Sequence, residues 1–579
     1  MRSALLEETP AKQWLLRRQE LPAEPEQLAR DLGIDGYLAR LLCLRGITNF
    51  DQSKSFFRPH WNDLHPPGTM KDMDRAVQLI AECLASDAKI LLYGDYDVDG
   101  TTSVALAYRF LNKYCSGLGY YIPDRRTEGY GLSHRGIDWA AEQGYRCIVT
   151  LDCGTTACEP IAYANSLGLK VIVTDHHQPS AQLPAAAAIL NPMQAGCAYP
   201  FKDLSGCGVA FKFLVALCQH FGWPQTELLD HLELVAISIA ADVVPLVGEN
   251  RILTHYGLQK LNSQPIPGIR AMLQQYTNRK PRLDLGDVVF GLAPRINAAG
   301  RMGDARLAVR LLLGEDLDEC AALATEIEHS NLHRRDTDAE ITRMALEQAS
   351  VQHALEPKFT TVVRGSQWHK GVIGIVASRL VEKFYKPTVV FSEEEGKLTG
   401  SARSVHGFDL YHALEQCSDC LEQFGGHKYA AGLTMRSEQY PEFCQRFENA
   451  VVASIEAWQR SPSLEVDLEL PLSVITPKFF RILQQFAPYG QGNRMPLFCA
   501  RRVYATPGSA RVLGQNHLSL NVQQSDDRNP LQAIAFGQGS MQPLLSKGLP
   551  MDIAFHLEEN HFRGESRMQV RIVDMQPHA

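Results

Sequence analysis

Three short apolar, β-rich runs in this chain each end in acidic residues. Residues 89–93 ("KILLY") lead into Asp95, Asp97 and Asp99, 147–151 ("CIVTL") into Asp152, and 170–174 ("KVIVT") into Asp175-His176-His177. Stretches rich in Ala and Leu, such as 101–113 and 159–167, separate them with helical character. Strands alternating with helices predict a parallel sheet covered by helices. In such a sheet all the carboxyl ends lie along one edge, where ligands bind. Residues scattered over about 80 positions are thereby brought to one place. A fourth element, "VAISIAADVVPL", adds Asp242 after an apolar run and ends at Pro245.

Any one of these aspartates, taken alone, reads as a helix cap or a turn residue. Three carboxylates on alternate residues repel one another unless a cation lies between them. The spacing of Asp95, Asp97 and Asp99 also mimics the start of a calcium loop, but position 12 counted from Asp95 is Leu106, and a β-run precedes it. An EF-hand requires a Glu there and flanking helices. Oxygen ligands with a minority of imidazole suit magnesium or manganese rather than zinc. More carboxylates than one ion needs point to two ions sharing a bridging carboxylate, the usual arrangement for phosphoester hydrolysis, with ions about 3.5–4 Å apart.

The rest of the 579 residues divides at about three or four domains. Residues 1–70 read as a helical lead-in, 71–304 as the strand–helix lobe, 305–355 as one long connecting helix or two, 356–458 as a second α/β lobe, and 459–579 as short strands suggesting a small β-barrel. A hydrophobic fraction of 45% and a charged fraction of 21% are ordinary for a globular protein. The formal charge of −8 argues against a generally basic nucleic-acid coat, while leaving a local groove open. The only paired cysteine spacing among 14 cysteines, Cys417 to Cys420, has no second pair to complete a zinc tetrahedron. A polar opening and the absence of an apolar stretch near the ~20 residues of a membrane span lead to the expectation of a reducing cytoplasm and no membrane.

On these blocks the chain resembles the DHH phosphoesterase superfamily, for which Asp175-His176-His177 would be the signature. Within it the chain is similar to the bacterial single-strand-specific 5′→3′ exonucleases. The matching blocks run nearly end to end: "GDYDVDGTTS", "PDRRTEGYGLS", "TLDCGTT", "VIVTDHH", "LVAISIAADVVPL", "GLAPRINAAGRM", "WHKGVIGIVASRL", "GSARSVHGFDL", "FGGHKYAAGL" and "APYGQGNRMPLF". One departure is Cys153, where the family pattern has Asn beside Asp152.

The resemblance implies an α/β fold: a DHH parallel-sheet lobe and a DHH-associated lobe joined by a long helix, followed by an OB-like barrel that binds single strands. It implies that Asp97, Asp99, Asp152, His176 and Asp242 hold two divalent ions, magnesium or manganese, with Asp152 as the bridge. His177 would support the site or touch the phosphate, and Asp95 would be a ligand or an acceptor orienting one. In the second lobe Ser401, Arg403, Gly425, Gly426 and His427 would receive a 5′-terminal phosphate. Arg295, Asn297 and Arg301 would contact the scissile or an adjacent phosphate, with Arg126 a weaker candidate. The barrel carries 11 Arg and Lys against 10 Asp and Glu over 461–579, so its expected DNA role rests on fold analogy rather than charge.

The expected activity is therefore hydrolysis of single-stranded DNA from a 5′ end to mononucleotides, in recombination and repair, by a monomer working with a single-strand-binding protein and a helicase. Two other readings exist. A DHH hydrolase of short oligonucleotides, cyclic dinucleotides or pyrophosphate would lack the C-terminal barrel. An inactive strand-binding scaffold would have lost ligand carboxylates, and this chain keeps them all.

Overall fold

The computed structural model describes residues 12–17, 24–125, 127–276, 281–524, 529–562 and 565–578. It divides into two compact units. One comprises residues 20–331 and 476–495, the other residues 1–19, 332–475 and 496–579.

The first unit is built on a five-stranded sheet in the order Leu118–Tyr121, Lys89–Gly94, Tyr145–Leu151, Lys170–Thr174, Ala188–Leu190, with every pairing parallel. Alternate residues of these strands enter two different cores. Ile90, Leu92, Val149 and Ile172 face one, while Leu91, Tyr93, Ile148 and Val173 face the other. Both faces are thus covered, which is why the strands read as unbroken apolar runs rather than alternating ones. Burying each Val, Leu or Ile side chain contributes about 1.5–3 kcal/mol.

The register places the site. Gly94 pairs with Leu151, Leu151 with Thr174, and Thr174 with Leu190, so Asp95, Asp152, Asp175 and Asn191 each follow one row across the sheet. The helix Val98–Leu111 starts from that edge, with Asp97 as N-cap accepting from the Gly100 amide at 3.1 Å. The run before Asp242 is a helix, Leu232–Ala241, and Asp242 is its C-cap.

In the second unit, one sheet takes the order Gln423–His427, Ala430–Arg436, Lys397–Arg403, Thr388–Glu394, Thr361–Ser366, with only the last two strands parallel. The C-terminal strands form a second sheet in which Phe498–Ala505 pairs both with Met551–Phe562 and with His517–Gln523. That double pairing closes five strands into the barrel of an OB-fold. The expected connector is two helices, Arg306–Leu313 and the 39-residue Leu317–Leu355.

Within the C-terminal segment expected from residue 459, one stretch packs elsewhere. Residues 476–495 belong to the unit that carries the aspartates. Phe486 packs edge-on against Phe56 and Phe57. The buried Arg251 guanidinium donates to the carbonyls of Phe56, Phe486, Ala487 and Pro488 at 3.0–3.3 Å. Nothing in the local pattern announces a long-range clamp of this kind. Arg251→Met keeps the bulk but removes the donors of the Phe56 and Ala487 carbonyls, while Asn493 Nδ2 still serves those of Phe486 and Pro488; a carbonyl left unpaired in the interior costs about 1–3 kcal/mol. Urea unfolding should show a loss of at least about 2 kcal/mol in the transition of this unit; an unchanged midpoint would mean that Arg251 does not clamp the segment.

Candidate metal centre

Four side chains from four elements meet at the sheet edge. His176 Nε2 lies 3.2 Å from Asp152 Oδ1, 3.5 Å from Asp242 Oδ2 and 3.7 Å from Asp99 Oδ2. His177 Nδ1 is 3.8 Å from the same Asp152 oxygen. Two overlapping groups could each hold an ion: Asp99, His176 and Asp242, and Asp152, His176 and His177. Asp152 Oδ1 and His176 Nε2 are buried and have no hydrogen-bond partner among the described residues. A carboxylate oxygen and an imidazole nitrogen left unsatisfied while facing each other are what a cation would bridge. The donor set of oxygens with one or two imidazoles fits magnesium or manganese.

Two aspartates accept several main-chain hydrogen bonds. Asp99 accepts from the amides of Gly206 and Cys207 at 2.7 and 2.8 Å and from the Ser238 hydroxyl at 2.7 Å. Those amides open the helix Gly206–Phe221, whose positive end favours a carboxylate. A Cβ at Gly206 would fall 2.6 Å from Asp152 Oδ1, so only glycine lets this helix reach both carboxylates. Asp175 accepts from the amides of Thr155, His176 and His177 and from His177 Nδ1, at 2.7–3.1 Å. Burial would raise its pKa, but these hydrogen bonds overcome it and hold the group down at about 2. Asp175 thus orients the histidine pair. The same contact acts on His177: burial would lower its pKa, and Asp175 pushes it up to about 9.

The other carboxylates have less support: Asp97 accepts one amide, from Gly100, and Asp95 one at 3.4 Å, from Gly131. Burial, and then the charge of Asp97, push Asp95 up to about 8; burial, and then Asp99 and Asp97, do the same for Asp242. Asp152 is raised well above the usual range, and Asp97 is raised, both by burial first and by neighbouring aspartates second. Asp242 also sits at the negative end of its helix, which disfavours its charge further. The backbone is strained at this edge. Asp152 has φ 64° and Val243, next to Asp242, has φ 59°. Left-handed conformations at non-glycine residues cost on the order of 1–3 kcal/mol and concentrate at functional sites.

The helix Ala293–Met302 approaches the same place. A Cβ at Gly300 would fall 2.8 Å from the Tyr96 carbonyl, between Asp95 and Asp97, and this turn carries Asn297 and Arg301, both half-buried. Arg295 does not fit the expected phosphate role. It is buried, its Nε lies 2.6 Å from Glu328 Oε2, its Nη1 donates to the Gly291 carbonyl, and it lies over the Tyr276 ring. Its charge is already neutralised inside the protein. Arg126 lies outside the described residues, while its neighbour Arg125 stacks over Tyr96 at 5.1 Å. Cys153 is buried in the apolar cluster around Tyr93. The sequence reading passed over Tyr130, Ser238 and Asn191, whose only signals were their places in a Gly-Tyr-Gly loop, inside an apolar helix and just past a short strand.

In the second unit, Ser401 and Arg403 share one face of their strand. Cross-strand register aligns Ser401 with Gly432 and Gly425, and Arg403 with Ala430 and His427. Arg403 Nη1 lies 3.0 Å from Ser401 Oγ. The opening turn of the helix Ile373–Phe384 is close by, since a Cβ at Gly374 would fall 2.8 Å from Arg403 Nη2 and 3.0 Å from Ser401 Oγ. Among the described residues, Arg403 has no carboxylate within ion-pair distance, and burial lowers its pKa. Gly426 has φ 148°, and a Cβ there would fall 2.4 Å from the Ala430 carbonyl, so the hairpin itself requires this glycine. His427 is exposed.

The carboxylates give a sign to stability in the absence of metal. Unfolded Asp titrates near 4, and in the folded metal-free protein Asp95 and Asp242 titrate at about 8. The folded state therefore holds protons that the unfolded chain has released, and stability falls as pH rises from about 4 to about 8. Thermal melts in chelator should show this fall, and Asp152→Asn, which tolerates the left-handed backbone, should reduce it. Manganese at 100 times its Kd should restore about 2.7 kcal/mol. A metal-free protein equally stable at pH 5.5 and 8.5 would contradict this electrostatic picture.

Family comparisons agree with this geometry. The model of the DHH family N-terminal domain matches residues 89–239, the DHHA1 domain matches 356–453, and the RecJ OB domain matches 466–574. The single-stranded-DNA-specific exonuclease RecJ of Salmonella typhimurium is 34% identical over 97% of this chain and 99% of its own length. That of Escherichia coli is 33% identical over the same shares. The crystal structure of Thermus thermophilus RecJ in complex with Mn2+ superposes with a TM-score of 0.82 at 30% identity, covering 98% of this chain and 80% of that one. A Mg2+ complex of the same protein superposes with a TM-score of 0.76. The chain belongs to the RecJ family of DHH phosphoesterases.

Proposed function

We propose that this chain is a metal-dependent exonuclease that hydrolyses single-stranded DNA from the 5′ end to mononucleotides, in recombination and repair. The observation that carries the reading is the meeting of Asp99, Asp152 and Asp242 around His176, with an orphaned oxygen and nitrogen facing each other. Asp97, Asp99, Asp152, His176 and Asp242 would hold two divalent ions, magnesium or manganese, with Asp152 between them and Asp95 beside them. Bound there, the ions would polarise the phosphodiester and lower the pKa of the attacking water. His177, held through Nδ1 by Asp175, offers its other ring nitrogen to a phosphate oxygen. Asn297 and Arg301 supply donors next to the carboxylate loop.

The end preference rests on the second unit. A half-buried guanidinium without a carboxylate partner, a hydroxyl and a helix N-terminus together suit a terminal phosphate. Gly425, Gly426 and His427 extend that face. The barrel adds a strand-binding surface by its fold. Within this reading the enzyme is a cytoplasmic monomer whose partners are a single-strand-binding protein and a helicase. Among the described residues, no helix is long and apolar enough to cross a membrane.

Strands labelled at either end, with manganese or magnesium, test the activity. Mononucleotides should be released first from the 5′ label, and duplex should stay intact; preferential shortening from the 3′ end would refute the polarity. Arg403→Ala should weaken engagement of a 5′-phosphorylated end by about 1.5–3 kcal/mol, the scale of a hydrogen bond to a charged group. A chain ended after Met495 keeps the segment clamped by Arg251 and loses the barrel. If that protein is folded and monodisperse, its affinity for long single strands should fall at least about tenfold, with very short oligonucleotides cut nearly as before. Unchanged affinity across a salt series would remove the barrel from strand binding.

A further inference from the structure

Tyr130 is placed as no structural residue needs to be. It stands between Gly129 and Gly131, with φ 84° and 75°, in a loop that folds back over the sheet edge. The Gly131 amide reaches Asp95 Oδ1 at 3.4 Å and its carbonyl accepts from the buried Tyr93 hydroxyl at 3.2 Å, so the loop is tied down directly after the ring. The Tyr130 side chain nevertheless stays half in solvent, at 50% exposure. A tyrosine kept for packing would bury its ring. This one spends its hydroxyl on the centre instead.

The Tyr130 hydroxyl donates to the Asp152 carbonyl at 3.1 Å and lies 3.2 and 3.4 Å from the two ring nitrogens of His177. The rings meet edge to face, 5.6 Å apart at 71°. Asp152 is the residue in the left-handed conformation, and its amide is bound to the Thr174 carbonyl at 3.0 Å. Its carbonyl, turned out of the sheet by that conformation, has Tyr130 as partner. The backbone of the central carboxylate is thus braced from both sides. At the neighbouring imidazole, Asp175 fixes His177 at Nδ1, and the Tyr130 ring and hydroxyl limit how far it can swing.

We propose that Tyr130 is a positioning residue of the metal centre: its hydroxyl braces the strained backbone of Asp152 and sets the reach of His177. The proposal rests on the metal-dependent reading above. Removing the hydroxyl frees the Asp152 carbonyl and the imidazole together, so metal affinity and turnover should both suffer while the strand-binding surfaces stay intact. Partners that orient ligands in this way are worth about 10–100-fold in metal affinity or activity.

The test uses the full chain and two variants. Tyr130→Phe keeps the ring and removes the hydroxyl; Tyr130→Leu removes both. Manganese affinity is read by electron paramagnetic resonance, and kcat and KM are read on a 5′-phosphorylated single strand. Tyr130→Phe should melt like wild type in chelator, bind manganese about tenfold or more weakly, and lose kcat about 10–100-fold with KM within about twofold. Tyr130→Leu should be no better than Tyr130→Phe. Wild-type manganese affinity in folded Tyr130→Phe overturns the proposal, as does a loss confined to KM. If wild type binds manganese and hydrolyses no strand, the functional reading fails, while the affinity comparison still decides the role of Tyr130.

Discussion

Buried carboxylates crowded onto one sheet edge are the condition around which this molecule is organised. At 4 Å and an effective dielectric near 20, two like charges repel by about 4 kcal/mol. The fold meets that repulsion in two ways. Asp99 and Asp175 are given main-chain donors, one set from a helix N-terminus and the other from the chain that follows the strand. Asp152 and Asp242 are not, Asp95 has only the long Gly131 contact, and burial pushes the pKa values of all three up. The supported pair fixes the frame, and the unsupported group creates the demand for a cation. His176 stands where the two sets meet.

Much of this was legible because register in a parallel sheet is simple. Once 89–93, 147–151 and 170–174 are taken as strands, their following residues must share an edge, and the observed row of Gly94, Leu151, Thr174 and Leu190 has that form. The closed barrel was legible in the spacing of its five main strands. The short strands Leu118–Tyr121 and Ala188–Leu190 were not, since four or three residues carry too little pattern to separate from loops.

What stayed hidden depends on contacts between distant residues. Arg295 sits in a donor-rich stretch and looks like a phosphate ligand, yet Glu328, 33 positions on, takes its charge. Arg251 binds carbonyls some 235 positions away, which moves residues 476–495 into the unit with the metal centre. Tyr130 and Ser238 are common residue types in unremarkable places until the fold brings them to Asp152, His177 and Asp99. A local reading finds charges; it does not find which charges the interior has already paired.

The central claim is that this edge holds two divalent ions around Asp152. The most direct measurement is anomalous diffraction at the manganese edge from crystals grown with Mn2+. The account predicts two peaks about 3.5–4 Å apart, one among Asp99, Asp152, His176 and Asp242 and the other on the Asp95–Asp97 side, with Asp152 touching both. No anomalous peak at this sheet edge, in crystals whose protein is active in the same manganese concentration, would contradict it.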